Sequence, residues 1–322
     1  MSELIPPFDF TRVFITPWTD GAGSFIWIAL MGFFVAAACG LIGNYLILRR
    51  MALVGDAISH SILPGIAIAF LLAGSRNTWV MFIGALAAGI LTTVIIEVIH
   101  KRSRVKQDAA IGIAFTTLFA IGVVLISLYA DKIDLDQECV LYGEIGFVWL
   151  APPLQLGSLT LGPEPVVRMG LVALGTAVLI GLFYKELLVS SFDPGLAASV
   201  GINAGVMHYA LMSALSVIVV SAFESVGAIL VIAMLILPGA TSSLISQRLP
   251  VVLTLSVVHA ALSSLLGIHL AVWLDCSTAA AMVVMGTVLF VLAWIFGPRE
   301  GLLARWFATR QVAPPMEVAY GR

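Results

Sequence analysis

Apolar runs of about twenty residues recur along this chain, and the tract from Val217 to Leu237 is far longer than a barrel strand needs. With 61% hydrophobic and 11% charged residues among 322, a soluble domain has nowhere to put so much apolar surface, whereas a bilayer absorbs it span by span. The period-two alternation of an outer-membrane barrel is absent. The expected fold is therefore all-α: a polytopic transmembrane bundle of eight or nine spans. The spans fall near residues 24–48, 53–74, 79–99, 109–130, 166–184, 205–223, 224–245, 251–272 and 277–297.

Two stretches resist this count. Cys139 to Leu150 is short and interrupted by Glu144, so it reads as a re-entrant or interfacial helix as readily as a span. Residues 205–245 carry Glu224 near their middle and form either two short spans or one span and a broken helix. Basic residues gather after alternate spans: Arg49 and Arg50, then Lys101, Arg102, Arg104 and Lys106, then Lys185, Arg248, Arg299, Arg305 and Arg310. The opposite loops carry few positive charges, Arg76, Lys132 and Arg168, so the positive-inside rule places the N-terminus outside and the C-terminus in the cytoplasm. The chain divides into an extracytoplasmic segment, 1–23, a membrane domain, 24–300, and a cytoplasmic tail, 301–322. Residues 1–22 lack the pattern of a cleaved leader, and the first span is expected to stay.

Several chemistries are excluded. No lysine is followed by Ser or Thr, as a P-loop requires, and no histidine is followed by Glu, as a zinc-protease helix requires. Cys39, Cys139 and Cys276 have no metal-ligand spacing and read as packing residues. The net charge of -2 says nothing of partners, and nothing in the sequence suggests nucleic acid. What remains is a passage. In GDAISHSILPG, Gly55 to Gly65, Asp56 and His60 lie four residues apart and share a helix face. Ionisable groups at membrane depth are costly and turn toward a bundle interior, a water cavity or an ion, so the pair offers an oxygen and a nitrogen to a passing cation. The plainer alternatives are a helix cap for Asp56 and a packing role for His60.

Other polar residues are less distinctive. Glu224 follows Ser221 on one face and is either a gate or secondary cation site, or a solvated helix end. His208 and His259 are expected to hydrogen-bond between helices. Glu97 and His100 lie beside four basic residues and read as a solvated helix end. The acidic run Asp131 to Glu138 either concentrates cations and docks a binding protein or is an ordinary loop.

Six blocks then carry a resemblance: MALVGDAISHSILPGIAIAF, QDAAIGIAFTTLFAIGVVLIS, DLDQECVLYGEIGF, YKELLVSSFDPGLAASVGIN, FESVGAILVIAMLILPGATSSLISQRL and WLDCSTAAAM. In this order, from about Arg49 to Gly301, they resemble the permease subunits of bacterial ABC importers for zinc, manganese and iron. The resemblance implies a vitamin B12-permease-like, type II importer fold in the cytoplasmic membrane. It also implies a second permease subunit, identical or paralogous, a cytoplasmic ABC ATPase dimer and an extracytoplasmic metal-binding protein. No cofactor is held permanently, and the divalent ion is the cargo. Asp56 and His60 map onto the path-lining Asp and His of that family. WLDCSTAAAM resembles manganese-type members more than zinc-type ones. PGATSSLISQRLP, Pro238 to Pro250, begins and ends with helix-breaking proline. By the resemblance its residues Pro238, Gly239, Ala240, Thr241, Ser242, Ser243, Leu244, Ile245, Ser246, Gln247 and Arg248 form the helix that engages the ATPase, the plainer alternative being an ordinary interhelical loop. By the same resemblance FDPGLAASVG, Phe192 to Gly201, is a second cytoplasmic contact or a packing element. Buried Asp and His also build proton relays, which keeps an ion-coupled secondary transporter as the alternative.

Overall fold

The computed structural model describes residues 6–74, 78–129, 145–157, 159–298 and 301–304. The acidic run Asp131 to Glu138, Cys139 to Glu144, the tail beyond residue 304 and the side chain of Glu224 lie outside the described residues. Short helical turns, Thr11–Ile15 and α1 (Thr16–Thr19), lead into α2 (Ala22–Leu48), α3 (Val54–Ala73), α4 (Thr78–Arg102) and α5 (Gln107–Leu128). A 3-10 turn, Ile145–Leu150, and a hairpin of β1 (Pro153–Leu156) and β2 (Leu159–Pro163) come next. Then follow α6 (Glu164–Leu182), α7 (Tyr184–Phe192), α8 (Pro194–Ser199), α9 (Ala204–Ile245), α10 (Leu249–Leu274) and α11 (Thr278–Phe296).

Among the described residues, eight helices are long and apolar enough to cross a membrane, and Ile229–Ile245 is a ninth, shorter apolar helix. This is a multi-pass membrane protein. All nine expected spans coincide with helices. The tract 205–245 is broken as anticipated, but at Gly227, whose φ of 73° and ψ of 170° interrupt α9. Only glycine adopts such an angle pair without a steric penalty. Straight, 42 helical residues would reach about 63 Å. Both ends of α9 instead lie at the same end of the bundle, because His208 meets Arg49 and Ser242 meets Ser256. The chain therefore doubles back at Gly227.

That end collects Arg49, Arg50, Lys101, Arg102, Arg104, Lys106, Lys185 and Arg248, and is called here the basic end. At the opposite end the N-terminal turns seat on α10: the backbone oxygens of Val13 and Pro6 accept from His269 and from the Trp273 indole. Local chemistry sets the helix starts. Asp193 accepts from Gly195 and Leu196 to cap α8, and Asn203 accepts from Gly205 and Val206 to cap α9.

Helix α2 is the hub, with Cys39, Ile42, Tyr45 and Leu46 buried among its neighbours. Without a hydrophobic drive between helices in lipid, close approach depends on small residues. A Cβ on Gly43 would stand 1.9 Å from the Leu235 carbonyl oxygen of α9, and one on Gly65 2.3 Å from that of Gly84, where α3 crosses α4. Gly122 of α5 leaves similar room for Pro64 of α3. Gly43→Ala is expected to cost about 1–3 kcal/mol by overpacking and to lower the melting temperature in detergent. Gly175→Ala, with no atom within 4 Å, is expected to be neutral or slightly stabilising in the same melt.

Candidate metal path and its supports

Asp56 is the third residue of α3. It does not cap the helix, since α3 begins after Leu53 without a side-chain capping bond. A carboxylate in a first turn is favoured by the helix dipole. His60 follows one turn later, and its Nε2 lies 3.3 Å from Asp56 Oδ1. The side chains are 35% and 34% exposed, neither sealed nor fully solvated.

The depth of this pair follows from its neighbours. Gly89 of α4 packs close to both Ile58 of α3 and Ser216 of α9. Gly89 is 13 residues from Arg102, about 20 Å along the helix, and Ser216 is 12 residues from Ala204, about 18 Å. Helix α3 therefore starts inside the bundle, and the carboxylate and imidazole sit near mid-depth.

Their spacing has a chemical meaning. Oxygen and nitrogen donors each about 2.0–2.2 Å from an ion, subtending about 90–109°, are about 2.8–3.6 Å apart. The observed 3.3 Å is such a bite. Among the described residues no group of three or more His, Cys, Asp or Glu side chains is close enough to form a complete metal site. One chain thus offers two donors, an incomplete shell. Of the other residues singled out from sequence, Ser221 is buried with its hydroxyl unpaired among the described residues, while the side chain of its companion Glu224 lies outside them. His259 donates from Nε2 to the Gly286 carbonyl, bridging α10 to α11 as expected.

At the basic end the expected picture needs a correction. Glu97 is not solvated: its side chain is 12% exposed, pairs with Lys101, and accepts from His208 Nε2 at 3.3 Å. Arg49 has only donors, so its 3.5 Å contact makes His208 Nδ1 the acceptor, leaving Nε2 to face Glu97. Arg49 also donates to Ser190 and Ser191 of α7, each at 3.0 Å. Burial lowers the Arg49 guanidinium from its ordinary pKa, with the Tyr45 hydroxyl opposing the shift. The ends of α2, α4, α7 and α9 are thereby pinned together. His100, by contrast, turns to the Val105 carbonyl.

The segment Pro238 to Arg248 divides in two. Pro238 does not break the helix. Pro238, Gly239, Thr241 and Ser242 are buried against α2 and α10, whereas Ser243, Ile245, Gln247 and Arg248 are exposed at the basic end. Beneath that tip is a polar cluster not anticipated from sequence. Asn44, 4% exposed, donates to the Gly40 carbonyl at 2.7 Å and to Ser256 at 2.9 Å, and Ser242 lies 3.2 Å from Ser256. Gly239 leaves room for the Asn44 amide oxygen. The lone Asn within 27 otherwise apolar or small residues of α2 was the available signal.

The profile of the ABC 3 transport family matches residues 24–297. The chain belongs to that family. It is 43% identical over 284 residues to the manganese transport system membrane protein MntD of Bacillus subtilis (strain 168), covering 88% of this chain and 95% of the relative. It is 41% identical over 292 residues to the zinc transport system membrane protein TroD of Treponema pallidum (strain Nichols), covering 90% and 79%. Among solved structures, PsaBC from Streptococcus pneumoniae in complex with Fab matches with a TM-score of 0.73 and 32% identity, over 92% of this chain and 99% of that one. As a member of the ABC 3 transport family, the chain is a membrane subunit of an ABC transporter with the helical permease fold.

Hydrogen bonds between membrane helices contribute about 0.6 kcal/mol on average and up to about 1.7. Asn44→Ala is expected to destabilise by an amount near the upper figure. A double-mutant cycle with Ser256→Ala, read by melting in detergent, is expected to give a coupling above about 0.5 kcal/mol.

Proposed function

We propose that this chain is the permease subunit of an ATP-driven importer of divalent transition-metal ions, with manganese favoured and zinc or iron accepted. The observation that carries this reading is the Asp56 and His60 pair, about one-third exposed near mid-depth, with donors 3.3 Å apart. Carboxylate and imidazole suit first-row transition metals, and an incomplete shell binds weakly enough to release its ion. Manganese and zinc transport stand in the names of the relatives, and manganese is preferred because more of them carry it, including the import permease ScaB of Streptococcus parasanguinis.

A second permease subunit, identical or paralogous, would face this pair across a central path and supply further donors. An extracytoplasmic binding protein would deliver the ion at the end where the N-terminal turns lie. The basic end would face the cytoplasm, by the positive-inside rule, and receive an ATPase dimer at the exposed tip Ser243 to Arg248, with α8 and its Asp193 cap nearby. Glu224 would be a secondary cation site. The membrane would be the bacterial cytoplasmic membrane.

Uptake of radiolabelled Mn2+ in cells lacking the native system tests the reading. Asp56→Ala and His60→Ala are each expected to reduce uptake at least tenfold with the protein still in the membrane. Undiminished uptake in both variants would contradict the path, and uptake that survives inactivation of the ATPase would identify an ion-coupled carrier instead. For the motor contact, Ser243→Arg or Ile245→Glu is expected to leave ATP hydrolysis running while transport falls. Normal coupled transport in both would remove that assignment.

A further inference from the structure

A metal-ligating histidine ordinarily has its second ring nitrogen fixed by a hydrogen bond to a carboxylate, a carbonyl or water, and that outer contact orients the ring. Among the described residues His60 has no such partner: its one polar contact is Nε2 to Asp56. Two aromatic rings occupy the place of that support. Phe115 and Phe119, one turn apart on α5, each bring a ring centroid to 5.9 Å from the imidazole, Phe115 tilted at 35° and Phe119 edge-on at 84°. Such geometries are favourable for flat rings. Gly122 leaves room for Pro64, so α5 lies close against α3 and keeps both phenylalanines in reach of the imidazole. Phe119 is 12 residues into α5, about 18 Å from its start, the same depth as His60.

We propose that Phe119, with Phe115, is a positioning residue that holds the His60 imidazole for a nitrogen-accepting transition-metal ion and thereby discriminates against Mg2+ and Ca2+. The inference rests on the metal path proposed above. A carboxylate alone serves Mg2+ and Ca2+ as well as Mn2+, and imidazole nitrogen is the donor that separates the classes. If the ring turned away from Asp56, the remaining oxygen site would lose that preference. Phe119 is 41% exposed, so its ring borders the same open face as the donor pair and also limits how much of a hydrated ion's water shell fits beside it.

The test is uptake of radiolabelled Mn2+ by the assembled transporter, with the half-saturating concentration, the maximal rate per permease and inhibition by excess Ca2+ measured together. Loss of an outer support for a metal ligand typically weakens binding about 10–100-fold. Phe119→Ala is expected to raise the half-saturating Mn2+ concentration at least tenfold and to make Ca2+ an effective competitor, with the maximal rate changed less than threefold. Phe119→Tyr, which keeps the ring, is expected to restore both values. Phe119→Leu, which keeps bulk without the flat edge, is expected to behave like Phe119→Ala. A Phe119→Ala or Phe119→Leu protein that loses maximal rate alone, or keeps wild-type half-saturation and Ca2+ resistance, overturns the inference. His60→Ala in the same assay separates the two claims: unchanged uptake there overturns the path itself, whereas lost uptake with an unaltered Phe119→Leu profile overturns only the positioning role.

Discussion

A carboxylate and an imidazole at the middle of an apolar bundle are stable only if something compensates their loss of water. Here Asp56 and His60 compensate each other at 3.3 Å, keep about a third of their side-chain surface open, and place the carboxylate in the first turn of a helix, where the dipole favours negative charge. The surrounding architecture follows from that requirement. Helix α3 must start inside the bundle, so the turn after α2 must bury Met51 and Val54. Glycines at the α2–α9, α3–α4 and α3–α5 crossings let the backbones approach closely enough to seal the rest of α3 from lipid. The same closeness brings Phe115 and Phe119 against the imidazole.

Helix α2 links this centre to the basic end. One face meets α9 through Gly43 and Leu235, and Gly55 at the start of α3 lies against that same leucine. Asn44 joins α2 to α10, and Ser256 in turn touches Ser242 just below the exposed tip. The next turn of α2 ends in Arg49, which binds α7 and, through His208 and Glu97, reaches α4. A load on the tip at Ser243 to Arg248 therefore meets the polar cluster first, and then the helix that abuts the start of α3. This is a contiguous physical connection between a motor-facing surface and a mid-membrane donor pair, carried by packed backbone and three side-chain hydrogen-bonding groups.

Most of the fold was legible in sequence because hydropathy measures the same quantity that the bilayer selects. Each expected span coincides with a helix, and the split near residue 224 is real, although Glu224 drew attention to it when Gly227 makes it. The donor pair was legible because i and i+4 spacing survives in any helix. Its depth was not. Nothing in GDAISHSILPG says that α3 begins inside the bundle, since that depends on contact with Gly89, and through it with Ser216, far away in sequence. Glu97 differs from its expected setting for a related reason: four neighbouring basic residues suggest solvent, but His208, itself held by Arg49, approaches from another helix and covers it. Pro238 suggested a helix end, yet in a membrane helix its freed carbonyl is tolerated, and the helix runs on to Ile245. The aromatic support of His60 left no local signature, because Phe115 and Phe119 belong to a stretch where every residue is apolar or small enough to face lipid.

The central claim is that Asp56 oxygen and His60 nitrogen meet the ion together. Its most direct test is pulsed electron paramagnetic resonance of Mn2+ bound to the purified, assembled transporter, which detects nitrogen-14 coupled to the metal. Histidine nitrogen coupling is expected in the wild-type protein and is expected to disappear in His60→Ala while residual oxygen-ligated Mn2+ remains. Bound Mn2+ without nitrogen coupling, or coupling that persists unchanged in His60→Ala, would contradict it.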